Sequence, residues 1–207
     1  MITVDTSHKL LKEEVSTLRQ LIGKTLTAIN CSGVDLNSGF KFYDFIDSIN
    51  LRLQGTEGFT TISATFDETN FGDDFININI KNMKEALGIK RHDQGGLQHP
   101  FANLNLFPEF RIKKIEVYGD SYTCESANIA PKPYWNIEIK NPGEAIVENI
   151  ETENILLFYS DNGRLLIKPY GAVPWIQVSL DNEFIDKSLF EKDRDGKTIT
   201  KLKHELK

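Results

Sequence analysis

His92, Asp93 and His99 bring two imidazoles and a carboxylate within eight residues, a donor set suited to zinc or a similar ion. Gly95 and Gly96 fall between them, so the spacing holds no geometry, and a bound metal is not expected. His92 and Asp93, with Glu109 and Tyr122, also carry the chemistry for proton transfer, and these four are the first residues to test as a catalytic acid or base. The two cysteines, Cys31 and Cys124, become nucleophiles only beside a base. Cys31 occupies an apolar slot of an alternating stretch and reads as a small buried hydrophobe, whereas Cys124 lies in a polar stretch after Tyr122.

Stronger signatures are missing from the sequence. It contains no Gly-x-x-x-x-Gly-Lys-Ser/Thr loop, no Gly-x-Gly-x-x-Gly, no Gly-x-Ser-x-Gly and no His-Glu-x-x-His. No cofactor is therefore expected, although an enzyme whose site assembles from distant residues stays open. His92-Asp93 resembles the dipeptide of metal-dependent phosphohydrolases, but over two residues only, and those sites belong to all-helical domains. Glu191, Asp193, Asp195 and Gly196 resemble positions one, three, five and six of a calcium loop. Position twelve, where a bidentate glutamate is needed, is Leu202, so a solvated Asp-Gly turn is the better reading.

Tryptophan and tyrosine divide unevenly. Both tryptophans, Trp135 and Trp175, and five of the six tyrosines follow residue 108. Tyr134 and Trp135 follow Pro131-Lys132-Pro133, while Tyr170 and Trp175 lie in Pro169-Tyr170-Gly171-Ala172-Val173-Pro174-Trp175. Proline-rich loops present aromatic rings rigidly, and Tyr and Trp are favoured anchors of interfaces and small-ligand pockets. Tyr134, Trp135, Tyr170 and Trp175 are thus the candidate contacts for a partner or ligand. The competing expectation is that both tryptophans simply plug the ends of a sheet.

These residues must be positioned by a mainly β architecture. Leu11, Val15, Leu18 and Ile22 recur as one helical stripe, with Ser7 as the expected cap and Gly23 as the stop. Beyond Gly23 the period changes to two. Apolar residues alternate with polar ones around Ile49–Leu53, Ile62–Phe66, Ile76–Ile80, Trp135–Ile139 and Ile176–Leu180, the pattern of half-buried antiparallel strands. Residues 155–159 are apolar throughout, and after Asp161-Asn162-Gly163 come Leu165, Leu166 and Ile167. The Asn-Gly signals a hairpin, and apolar residues on both faces place it centrally, under a helix or a second sheet. Short helices are expected at 82–87 and 182–191. The class is α+β: mainly antiparallel sheet with an N-terminal amphipathic helix and two short helices.

Leu26-x-x-Ile29-x-Cys31-x-Gly33 matches Ile112-x-x-Ile115-x-Val117-x-Gly119, and a hairpin follows each motif, at 51–66 and at 156–180. This makes an internal duplication a candidate architecture. The chain reads as a single unit, 1–207, that would divide into a first β-rich half (1–87), a connection (88–109) and a second β-rich half (110–207). The connection holds two adjacent glycines, two histidines and two prolines without a clear strand or helix, the composition of a functional loop or a linker.

With 24 basic and 30 acidic residues the net charge is −6, and splitting the chain after residue 108 leaves −3 on each side. Neither half is basic. Lys197, Lys201, Lys203 and Lys207 form the densest basic stretch, so nucleic acid is not an expected partner. No apolar run approaches the roughly 18 residues of a membrane span, and no secretory signal opens the sequence. A cytoplasmic location with reduced thiols is expected. The sequence is read as an intracellular, non-enzymatic module binding a protein partner or small ligand. In general character it resembles small acidic bacterial proteins that neutralise a partner, such as toxin-immunity proteins, an analogy of fold class alone. The alternative is a small enzyme with an acid–base site between the two halves.

Overall fold

The computed structural model describes residues 2–31, 34–36, 41–68, 74–86, 102–126, 146–170, 175–190 and 200–207. Along the described chain run β1 (Ile2–His8), α1 (Lys12–Leu21), β2 (Thr25–Cys31), β3 (Val34–Leu36), β4 (Tyr43–Ile46), β5 (Ser48–Leu53), β6 (Phe59–Glu68) and β7 (Asp74–Met83). They continue as β8 (Ala102–Arg111), β9 (Lys114–Ser126), β10 (Ile146–Thr152), β11 (Ile155–Ser160), β12 (Gly163–Tyr170), β13 (Trp175–Ser179), α2 (Asn182–Phe190) and β14 (Thr200–Leu206). The protein is mostly β-sheet with two helices.

Two sheets carry the fold. Five strands pair in the order β7-β6-β5-β2-β8, all antiparallel. Nine pair as β1-β10-β9-β11-β12-β13-β4-β3, with β14 joining β9. This second sheet is mixed, because β1 runs parallel to β10. Register reveals a simpler object inside it. Ser126 to Ser121 pair with 146 to 151, and Tyr118 to Lys114 pair with 155 to 159, so β10 and β11 are one long strand against β9, kinked by a one-residue shift. The kink sits opposite Gly119, where a β-carbon would lie 1.5 Å from the Thr152 carbonyl oxygen. No side chain fits that approach.

Two of the passages between the sheets are tight corners among the described residues. β4 and β5 are separated only by Asp47, whose φ of 58° turns the strand from the nine-stranded sheet into the five-stranded one. Aspartate tolerates this left-handed conformation better than most residues. At the other corner β8 passes into β9 through buried Ile112, whose N–H donates to the Lys24 carbonyl and whose carbonyl accepts from Gly23. Corners of this kind are how strands join packed sheets. Pro108, which lacks an N–H, falls where β8 bulges opposite Thr27, between the pairs Leu26–Phe110 and Ala28–Asn105.

The main core lies between the sheets and includes Ile29, Ile49, Leu51 and Ile62 from one and Val117, Phe158, Leu165 and Val178 from the other. A second cluster forms on the opposite face of the β11–β12 hairpin, where Leu157 and Leu166 meet Ile185 and Leu189 of α2. Two-sided apolar sequence is thus matched by cover on both faces. Helix α2 is capped by Asp181, whose Oδ1 accepts from the Phe184 N–H at 2.7 Å. Helix α1 closes a sheet edge. Buried Glu14 accepts from the Leu11 N–H and, across to β7, from the Ile80 N–H, each at 2.8 Å. An edge strand left bare invites pairing with another chain, and here a helix side chain satisfies it.

Several expectations are corrected. Ser7 caps no helix: it pairs with Glu151 within β1, and α1 begins only at Lys12. Leu11 is exposed, while Val15, Leu18 and Ile22 pack on the core. The helix expected at 82–87 is absent over 82–86, where β7 runs to Met83 and the chain then bends; residue 87 lies outside the described residues. Asn82 accepts from Thr60 of the neighbouring strand, and cross-strand pairing prevails over local helix propensity there. Within the connection 88–109, residues 102–109 belong to β8, whose partner β2 lies some seventy residues back and leaves no local sign. The hairpin turn is formed by Asp161 and Asn162, with Gly163 already paired to Ser160. The alternating segment at Trp135 lies outside the described residues. No helix among the described residues is long and apolar enough to cross a membrane.

Candidate functional site

Of the four candidate contact residues, two are brought together. Tyr170 at the end of β12 and Trp175 at the start of β13 are direct register partners, so their side chains share one face of the nine-stranded sheet. Tyr170 is 47% exposed and Trp175 half-buried. On the other face of their strands Leu165, Ile167, Ile176 and Val178 are fully buried. Next to Tyr170 and Trp175 their own face carries Lys168, paired in register with Gln177, whose amide donates to buried Asp44 at 3.0 Å. Phe42 and Phe184 meet beyond in a tilted pair, with ring centroids 4.7 Å apart. Tyr134 and Trp135 lie outside the described residues.

Of the proposed acid–base residues, Glu109 and Tyr122 are among the described ones. His92, Asp93 and His99 lie outside the described residues. Glu109 is exposed in the β8 bulge, where its carbonyl accepts from the Asn162 side chain at 2.8 Å. Tyr122 sits in β9 opposite Ile150. Cys31 is buried in the core, and Cys124 belongs to β9. Among the described residues no group of three His, Cys, Asp or Glu side chains is placed to hold a metal ion.

Two titratable clusters appear instead. The first joins Glu116 and Tyr118 of β9 to Tyr159 of β11. Glu116 Oε2 accepts from Tyr118 at 2.8 Å and from Tyr159 at 2.5 Å, and its Oε1 accepts from Lys114 at 2.8 Å. Burial alone would raise the Glu116 carboxyl, but Lys114 and the two phenols together outweigh it and hold the group below its ordinary value. Burial and the Glu116 carboxylate push Tyr118 up to about 12 and raise Tyr159 as well. Both phenols are therefore fixed hydrogen-bond donors, suited to clamping strands and not to proton transfer near neutral pH.

The second cluster lies at the seam where β1 ends against β6 and β7. Asn77 Nδ2 is 2.6 Å from His8 Nδ1, an arrangement in which the amide donates and the imidazole carries its proton on Nε2. That Nε2 is 3.3 Å from Asp67. Nearby, buried Glu153 accepts from the Leu10 N–H at 3.0 Å and from His204 at 3.1 Å. A cleft of about 220 Å³ opens here, lined by His8, Asp67, Asn77 and Glu153. Residues 8, 67, 153 and 204 are so far apart in the chain that no spacing rule could join them. The outward alternation of Lys114, Glu116 and Tyr118 was visible, but Tyr159 is added only by pairing.

The face of the five-stranded sheet away from the main core carries a set of side-chain amide and hydroxyl contacts. Asn30 donates to Asn103 at 2.7 Å, Asn103 to Asn105 at 2.8 Å, and Thr61 to Asn50 at 2.8 Å. No family model, no curated protein and no solved structure matches this chain.

Proposed function

We propose that this protein is a non-enzymatic module that binds a protein partner or ligand through the aromatic surface of Tyr170 and Trp175. One observation carries the reading: an exposed tyrosine and a half-buried tryptophan are register partners on a hairpin whose other face is locked into the core. Aromatic side chains held this way bind with little loss of conformational freedom. The reading includes a cytoplasmic location. It also includes an internal duplication. β2-β5-β6-β7 and β9-β11-β12-β13 each run as a meander from the strand bearing the repeated motif, and in each the second strand continues a bent predecessor, β4 or β10.

The test is a photo-crosslinking phenylalanine analogue at position 170, introduced in the source cells. A dominant adduct that disappears with Trp175→Ala, while circular dichroism stays unchanged, is expected. Scattered adducts, or one indifferent to Trp175→Ala, would overturn the proposal.

A second reading, an enzyme with an acid–base site between the halves, is favoured by the seam cleft, which His8 and Asp67 of the first half line together with Glu153 of the second. It requires turnover in a panel of chromogenic esters and phosphoesters that His8→Gln removes. Absence of turnover across the panel counts against it.

A further inference from the structure

We infer that two copies of this chain pair through the open edge of β8, antiparallel and centred on Leu104. From Pro100 to Pro108 the sequence is Pro-Phe-Ala-Asn-Leu-Asn-Leu-Phe-Pro, which reads the same in both directions except at Ala102 and Leu106. Antiparallel pairing with a second copy sets each residue opposite its mirror position. Centred on Leu104, Asn103 faces the partner's Asn105, Leu104 faces the partner's Leu104, and Ala102 faces the partner's Leu106. The register keeps asparagines on one face and apolar residues on the other, as the pleat demands.

The edge is built to accept a strand. β8 ends the five-stranded sheet, and among the described residues only β2 pairs with it. Its other edge over 102–106 is a template of backbone donors and acceptors. Three other edges are blunted. On β7 the Ile80 N–H is taken by Glu14 of α1, β3 has only three residues, and β14 carries Lys201, Lys203 and a register shift. β8 differs: no residue from Ala102 to Phe107 is charged, and Leu104 is only half-buried although it packs on the main core. The partner's Leu104 would complete its cover.

The asparagines supply the polar match. Asn30 donates to Asn103 and Asn103 to Asn105, a row that runs toward the edge. A primary amide both donates and accepts, so such a row can meet its own copy, whereas like charges directly opposite would repel. The pairing also closes on itself. Two five-stranded sheets join edge to edge, and the outermost strands are then two copies of β7, each lying against its own α1. Growth stops at a two-fold dimer. The contact spans only 102–106 of each copy, so association depends on concentration. It lies apart from Tyr170 and Trp175 and stands whether or not they bind a partner.

The experiment is sedimentation velocity of the full chain across a concentration series, with amide hydrogen exchange at both ends of the series. A monomer–dimer equilibrium is expected, with exchange at residues 102–106 slowing as the dimer forms. Asn103→Asp combined with Asn105→Asp sets carboxylates opposite carboxylates and should weaken the dimer about tenfold. Asn103→Asp combined with Asn105→Lys sets each carboxylate opposite an ammonium and should hold the dimer within about threefold of wild type. Both positions are exposed, and aspartate at 103 keeps an oxygen to accept from Asn30, so circular dichroism should be unchanged in both variants. Should either variant unfold, the exchange pattern of the wild-type dimer decides alone. A monomer at every concentration, open-ended assembly, a dimer without protection at 102–106, or equal weakening by the two variants would each overturn the inference.

Discussion

Replacing Gly119 with alanine tests the reasoning where β9 changes its partner from β11 to β10. The added β-carbon would lie 1.5 Å from the Thr152 carbonyl oxygen and 2.5 Å from its carbon. Ordinary contact lies above 3 Å, so the two strands must part by about 2 Å. Two hydrogen bonds span that point: Asp120 N–H to the Thr152 hydroxyl at 3.0 Å, and Asn154 N–H to the Tyr118 carbonyl at 3.2 Å. Losing both costs about 2 kcal/mol, and forcing apart packed strands adds about 1–3 kcal/mol. The expected loss is therefore about 3–5 kcal/mol, with a melting temperature lower by on the order of 10 °C for a chain of this size. Urea unfolding followed by tryptophan fluorescence and by circular dichroism measures it. Hydrogen exchange adds a local reading, since Glu153 beside the kink accepts the Leu10 N–H, which should lose protection. A Gly119→Ala protein within about 1 kcal/mol of wild type would refute the close approach, and with it the reading of β10 and β11 as one strand.

Three further perturbations probe the buried polar contacts. Glu116 is held below its ordinary carboxyl value, so its contribution is present above the unfolded pKa and is lost as pH falls through the folded one. Glu116→Gln should flatten the acid limb of stability and let Tyr118, now titrating near 12, and Tyr159 ionise earlier, though burial keeps both partly raised. Ultraviolet titration of the phenols reports this, and an unchanged curve speaks against the clamp. Glu14→Ala should cost about 2–4 kcal/mol, from the lost cap and the buried Ile80 N–H left unpaired, with Glu14→Gln intermediate. Loss of Ile80 amide protection is the diagnostic. At the Asp47 corner, Asp47→Val should destabilise by about 1–2 kcal/mol and Asp47→Gly by much less, because φ is 58° there; equal thermal melts for the two would contradict a conformational cause.

Periodicity made one level of this protein readable and left another out of reach. Alternation at Ile49, Leu51 and Ile62 names the inward face because the pleat turns successive side chains to opposite sides, a property each strand carries alone. In the same way, apolar residues on both faces at 155–159 and 165–167 required cover on both sides. By contrast, that Tyr170 faces Trp175 was set by the pairing of β12 with β13. The fates of Ser7, Asn82 and Met83 depended on distant strands: β1 found β10, and β7 continued along β6. Local capping and helix signals lose wherever a long-range ladder satisfies more backbone groups.

The sequence by itself determined that the chain is β-rich, which faces are apolar, and that tryptophan and nearly all the tyrosine follow residue 108. Only the tertiary structure decided which polar groups meet. Glu14 finds Ile80, His8 finds Asp67, and Glu116 finds Tyr159, at separations of 66, 59 and 43 residues. A charged or amide side chain carries no mark of its partner in the chain. Its place is set by whichever backbone or side-chain group the packed sheets leave unsatisfied beside it, and that is known only once the two sheets and their corners are closed.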